Sequence, residues 1–133
     1  GRAVPAEGLG TMTQPNVRTG RVYDPVDPAD GQRVLVDRLW PRGIRRDDPR
    51  VGEWMREAAP STELRRWYGH DPERFEEFRT RYEAELASGS AHDAVLRLRA
   101  LADPGPVTLL TATKDVDRSE VPILARVVAG SGV

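Results

Sequence analysis

Two short apolar runs constrain this chain more than any other feature. Val34-Leu35-Val36 lies inside segment 33–40 (RVLVDRLW), and segment 106–112 reads PVTLLTA. Neither run alternates with polar residues, so both predict strands buried on two faces, the pattern of a parallel sheet. Parallel strands need a long crossover, and helical segments fill the interval between these two. Segment 17–23 is mixed, with Val17, Thr19, Val22 and Tyr23, and predicts a first strand. Residues 24–31 carry turn chemistry, with Asp24, Asp27, Asp30, two prolines and a closing Asp-Gly. The spacing of those aspartates does not match a calcium loop, so they read as turn caps. The link between 17–23 and 33–40 is too short for a helix, so pairing of these two predicts an antiparallel arrangement. The expected fold is α/β: one domain over 17–130, a small mixed or parallel central sheet with helices packed on it, and 33–40 and 106–112 as parallel central neighbours.

Local signals place the helices. Segment 52–58, around Trp54 and Met55, predicts a short helix. Ser61 is a good N-cap for a helix carrying Leu64, Trp67 and Tyr68, and Gly69 a good stop. Asp71-Pro72 restarts a helix whose stripe is Phe75, Phe78, Tyr82 and Leu86. Glu77–Arg81 and Arg81–Glu85 are spaced to pair on its wet face. Ser90 is expected to cap a helix over 91–102, and Ser119 a last one bearing Val121, Leu124, Ala125 and Val128.

Several function classes are excluded. With no cysteine, the chain has no disulfide, thiolate nucleophile or Cys-ligated metal. Zero Cys fits a reducing cytoplasm, the expected location. Two histidines cannot form a three-His metal site. No Gly-rich phosphate loop, dinucleotide fingerprint or nucleophile elbow occurs. No apolar run is long enough to span a membrane. Twenty basic against 21 acidic residues leave a net charge of −1, which draws the chain to neither nucleic acid nor an anionic membrane. Residues 1–16 read as a flexible tail or a remnant ahead of a native start at Met12.

The candidate site lies where the two apolar strands end. In open parallel sheets, ligands bind beyond the carboxyl ends of the strands. One end delivers Asp37, Arg38, Trp40 and Arg42; the other delivers Thr111, Thr113, Lys114 and Asp115. The helix starting at Ser119 points its amino end there, which suits an anion. Arginine offers a planar fork, and lysine a point charge that can act as base or nucleophile. Lys114 and Asp37 are therefore the catalytic candidates, the others substrate contacts, and a small anionic ligand the expected partner. Of the 20 basic residues, 19 are Arg and one is Lys114. A composition that replaces Lys by Arg wherever either serves would keep a Lys only where Lys is needed. Bland readings stand beside these: Asp37–Arg38 as an ion pair, the tryptophans as core anchors, His70 as a cap, the arginines as a solvated face.

The strings RVYD at 21–24, GQRVLVDRLWPRG at 31–43, APSTEL at 59–64, WYGH at 67–70 and the pattern Phe78-Arg-x-x-Tyr82-x-x-Glu85-Leu86 resemble the YeaO-like family, within the domain-of-unknown-function group 488. The resemblance runs from about Arg21 to Val128. It implies an α/β unit and no known reaction, cofactor or substrate. The family lysine after the last strand is matched by Lys114. Its following Asn-His pair is not matched: Ser119-Glu120 stands there, and a role resting on that His is not carried over.

Three functions compete. The first is a cytoplasmic protein, and possible enzyme, binding a small anion or nucleotide at Asp37, Arg38, Arg42 and Lys114. The second is a nucleic-acid-binding regulator using the arginines of 42–66 (Arg42, Arg45, Arg46, Arg50, Arg65, Arg66), against which the net charge argues. The third is an interaction module built on the Trp-rich segment 40–67.

Overall fold

A computed structural model describes residues 16–130. The expected tail over 1–16 lies, apart from Asn16, outside the described residues. Four parallel strands form one sheet: β1 (Val17–Arg21), β2 (Gln32–Leu35), β3 (Glu53–Trp54) and β4 (Val107–Thr111), in the order β1-β4-β2-β3. Four helices follow the expected order: α1 (Thr62–Tyr68), α2 (Phe75–Glu85), α3 (Gly89–Ala102) and α4 (Glu120–Val128). The α/β class holds, and β2 and β4 are parallel central neighbours.

Side chains alternate across the sheet and set up two layers. Val34, Val36, Val107 and Leu109 join the main core with residues from all four helices, including Leu64, Phe78, Tyr82, Leu98 and Leu124. Leu35 and Leu110 face the other way, into a smaller cluster with Val22, Tyr23, Trp40 and Trp54. Loops, not helices, cover that second face.

The antiparallel expectation for β1 and β2 is corrected: β4 lies between them and pairs parallel with both. Residues 22–31 therefore run back over the loop-covered face without a full helix, making only a 3₁₀ turn at Pro28–Asp30 capped by Asp27. Buried Arg33 holds this return. Its Nε donates to the Arg50 carbonyl at 2.7 Å, Nη1 to Asp30 Oδ2 at 2.6 Å, and Nη2 to the Asp24 carbonyl at 3.0 Å. Gly31 closes the return at φ 63°, where a Cβ would lie 2.1 Å from the Pro106 carbonyl oxygen, so no side chain fits.

Three other local expectations change. The strand expected over 33–40 ends at Leu35, because Trp54 Nε1 takes the Asp37 carbonyl and the chain turns away. Segment 52–58 is not a helix: Gly52 donates to the Arg33 carbonyl at 3.0 Å and Met55 to Leu35 at 2.8 Å, making β3 and leaving only a 3₁₀ turn at Arg56–Ala58. α3 begins at Gly89, with Ser88 in the cap position in place of Ser90.

The caps at Ser61, Gly69 and Ser119 form as expected. Asp71 caps a 3₁₀ turn, Pro72–Arg74, that leads into α2. Glu77 pairs with Arg81, but Glu85 turns inward. Its carboxylate accepts from the Ser61 amide at 2.8 Å and hydroxyl at 2.6 Å, tying α2 to the start of α1.

Candidate functional site

The carboxyl ends of β2 and β4 are stapled side by side. Val36 N–H donates to the Leu110 carbonyl at 3.1 Å, and the Ala112 amide donates to Asp37 Oδ2 at 2.8 Å. Asp37 thus anchors the segment after β2 to the segment after β4. Arg38 reaches the other way, its Nε and Nη2 donating to the carbonyls of Pro60 at 3.1 Å and Ala59 at 3.2 Å. It holds the turn before α1 at the edge of a cavity of about 290 Å³. Asp37 and Arg38 do not pair with each other; each is engaged with backbone.

This cavity gathers Asp37, Arg38, Trp40, Arg42 and Thr113. Lys114 and Asp115 line a neighbouring depression of about 340 Å³. Tyr68, His70 and Thr113 border both hollows, so the two adjoin. Thr111 is fully buried and does not line the cleft. Its Oγ1 accepts from the Thr113 amide at 3.1 Å and shapes the turn beneath it. Lys114 is exposed.

Among the lining residues that the sequence reading did not place here are Arg65, Tyr68, His70 and, above all, Glu120. Tyr68 is buried and donates to the Arg118 carbonyl at 2.7 Å, which fixes the loop before α4. His70 has a left-handed φ of 59°, uncommon for a side chain of its size and a form of strain found at functional sites. Glu120 begins α4 and is only 8% exposed. Burial pushes its carboxyl well above the usual range, the charge of Asp37 pushes it further, and its own backbone amide and, more weakly, Arg65 oppose the shift. A perturbed acid in a cleft marks a candidate site on physical grounds. The signal for Glu120 was its place beside the Ser119 cap at the strand ends, where an acid in a helix's first turn usually faces water.

The arginine-rich stretch is largely occupied. Arg45 pairs with Asp47, and Arg50 with Asp48, whose carboxyl is held down to about 2 by the Arg50 side chain and amide. The Arg46 guanidinium lies over both Trp40 and Trp54. Those two rings meet edge to face at 5.3 Å, and their indole N–H groups donate to Ile44 and Asp37 carbonyls. In contrast, Arg42 and Arg65 stand exposed at the cavity and form no ion pair among the described residues.

Residues 16–131 match the family model described as the inactive DUF488-N3 subclade. The chain belongs to the DUF488 family. An uncharacterised protein of Mycobacterium tuberculosis (strain H37Rv) is 52% identical over 119 residues, covering 90% of this chain and 98% of that one. One from Mycobacterium bovis matches equally, at 52% over 119 residues. The uncharacterised YeaO of Escherichia coli K12 is 42% identical over 110 residues, 83% of this chain and 94% of its own. No solved structure shows a significant match. The DUF488 resemblance read from segments 21–128 is therefore borne out. Among the described residues, no helix is long and apolar enough to cross a membrane, and no group of three or more ligand side chains is placed for a metal.

Proposed function

We propose that this DUF488 domain is a cytoplasmic binding protein that holds a small anionic molecule, of nucleotide or sugar-phosphate type, at the carboxyl ends of β2 and β4. One observation carries the reading: Arg42 and Arg65, without ion pairs among the described residues, flank a cavity of about 290 Å³. That volume is at the small end of ligand sites. The two arginines take the anion, Arg38 positions the wall, and Asp37, Trp40 and Thr113 contact the rest of the ligand. Lys114 and Asp115 meet any part that extends past His70 into the outer depression.

Binding without turnover is favoured over catalysis by Lys114 or Asp37. The matched subclade is described as inactive, and Ser119-Glu120 replaces the Asn-His pair of the wider family. No specific observation favours the nucleic-acid or interaction-module readings, since most arginines of 45–50 and the indole N–H groups of Trp40 and Trp54 are engaged within the fold.

A thermal-shift screen with inorganic phosphate, sugar phosphates and nucleoside phosphates tests the proposal. A probe at 100 times its Kd adds about 2.7 kcal/mol, a rise of several degrees in Tm. The rise should vanish in the Arg42→Ala/Arg65→Ala double variant. No shift with any probe, or a shift kept by the double variant, overturns the reading.

A further inference from the structure

The cavity has an arginine rim but an acidic floor, and no arginine among the described residues forms an ion pair with that floor. Asp37 and Glu120 both line it. One Asp37 oxygen is taken by the Ala112 amide at 2.8 Å, which leaves the other open. Glu120 is more than nine-tenths buried and forms no ion pair among the described residues. The nearest arginine in sequence, Arg38, is committed to the carbonyls of Ala59 and Pro60. Tyr82 approaches from α2, but its hydroxyl donates to the Ala58 carbonyl. Two influences favour the charged form of Glu120, its own backbone amide and, more weakly, Arg65 from α1.

Buried carboxyl groups are costly unless paired or hydrogen-bonded. Here no side-chain donor among the described residues is bonded to Glu120, and its carboxyl lines the cavity beside Asp37. We propose that the Asp37–Glu120 floor recognises a group carrying adjacent N–H donors, namely a guanidinium, an amidine or an amino-heterocycle edge. The ligand is then two-ended, with N–H donors on the carboxyl pair and an anion on Arg42 and Arg65. Paired carboxyl oxygens suit such forks, because two parallel N–H···O bonds give both energy and orientation. A cationic fork binds the ionised Glu120 carboxylate, so the proton that burial holds on Glu120 leaves to solvent and affinity rises with pH. Asp37, Arg65 and Tyr82 are the charged and titratable groups facing Glu120, and Arg65, the cation among them, forms no ion pair with it. This inference rests on the anion-binding reading above and deepens it.

Calorimetric titration of the full chain with matched probes tests it. Guanosine monophosphate is compared with inosine monophosphate, which lacks the amino group, and 4-guanidinobutyrate with butyrate; inorganic phosphate and Mg²⁺ are titrated alone. At least one two-ended probe is expected to bind tenfold or more tighter than its partner. Glu120→Gln and Asp37→Asn, checked for folding by circular dichroism, should reduce that ratio below threefold. If phosphate and all anionic probes bind but neither pair differs, the anion reading stands and the two-ended ligand is overturned. A ratio unchanged in both variants overturns it too, as does Mg²⁺ alone binding wild type and not Glu120→Gln, which would assign the pair to a divalent cation. If nothing binds, phosphate included, the reading beneath it fails as well.

Discussion

Two buried charges flank the same strand, and they are treated in opposite ways. Arg33, in β2, is 5% exposed. The Asp30 carboxylate and the carbonyls of Asp24 and Arg50 meet its guanidinium within 3.0 Å. Glu120, beyond the carboxyl end of the same strand, is about as buried yet has another acid for its neighbour. A buried charge whose donors or acceptors are all met is part of the scaffold. One left without them beside a cavity marks a site, because only a ligand can complete it. The two ends of β2 thus divide the labour: the amino end fixes the crossover, and the carboxyl end stays open.

The sharpest way to break this comparison is at Arg33. Arg33→Ala should cost about 3–5 kcal/mol, because it strands the partly buried Asp30 carboxylate and two carbonyls. Urea unfolding measures it, and a loss below about 1 kcal/mol would show that the crossover stands without its bolt. Arg33→Met with Asp30→Asn should recover part of the loss, since it fills the space without leaving a buried charge.

The next effect lies at Glu120 and has the opposite sign. Its native carboxyl binds its proton more tightly than the ordinary 4.5 of an unfolded glutamate. Stability is then full below that value and declines as pH rises from there toward the raised native value. Glu120→Gln keeps the shape and removes the ionisation. Its Tm should equal or exceed that of wild type at pH 8 and converge with it near pH 4. A variant less stable than wild type at pH 8 would make Glu120 a structural acid like Asp30.

A smaller effect is expected at Asp48, paired on the surface with Arg50. Its carboxyl is depressed from 3.8 to about 2, so its stabilising contribution is present above 3.8 and lost as pH falls through about 2. Asp48→Asn should raise the midpoint of acid unfolding slightly and leave Tm at pH 7 nearly unchanged, as for other exposed pairs.

What could be read from residues alone follows from the range of the interactions. β2 and β4 were legible because runs buried on both faces leave a continuous apolar signature. The caps at Ser61 and Ser119 were legible because a cap is a matter of three or four neighbours. The two-residue β3 was not: Gly52 and Met55 are drawn into a ladder by the carbonyls of Arg33 and Leu35, about twenty residues earlier. The parallel crossover was missed for the same reason, since Arg33 captures carbonyls on both sides of it. At the site, Asp37 and Arg42 were found because they follow a strand. Glu120 was missed because Asp37 and Tyr82 approach it from two separate elements far away in sequence, while nothing in its own segment marks it as buried.

Lys114 gives the smallest expected change in stability and the finest test of where the site ends. It is exposed, it lines the outer depression, and no ion pair among the described residues holds it. Lys114→Arg should therefore change unfolding free energy by less than about 0.5 kcal/mol. Its charge is kept, but a compact ammonium becomes a planar fork, and the two are not interchangeable where a point charge is required. A ligand confined to the inner cavity would bind the variant as it binds wild type. A ligand reaching past His70, such as a nucleoside diphosphate compared with its monophosphate, should lose affinity selectively. A drop for the diphosphate alone would extend the site from Glu120 to Lys114 as one cleft. Equal affinities for both would confine recognition to the carboxyl pair and the two rim arginines, and leave the single lysine to its solvent.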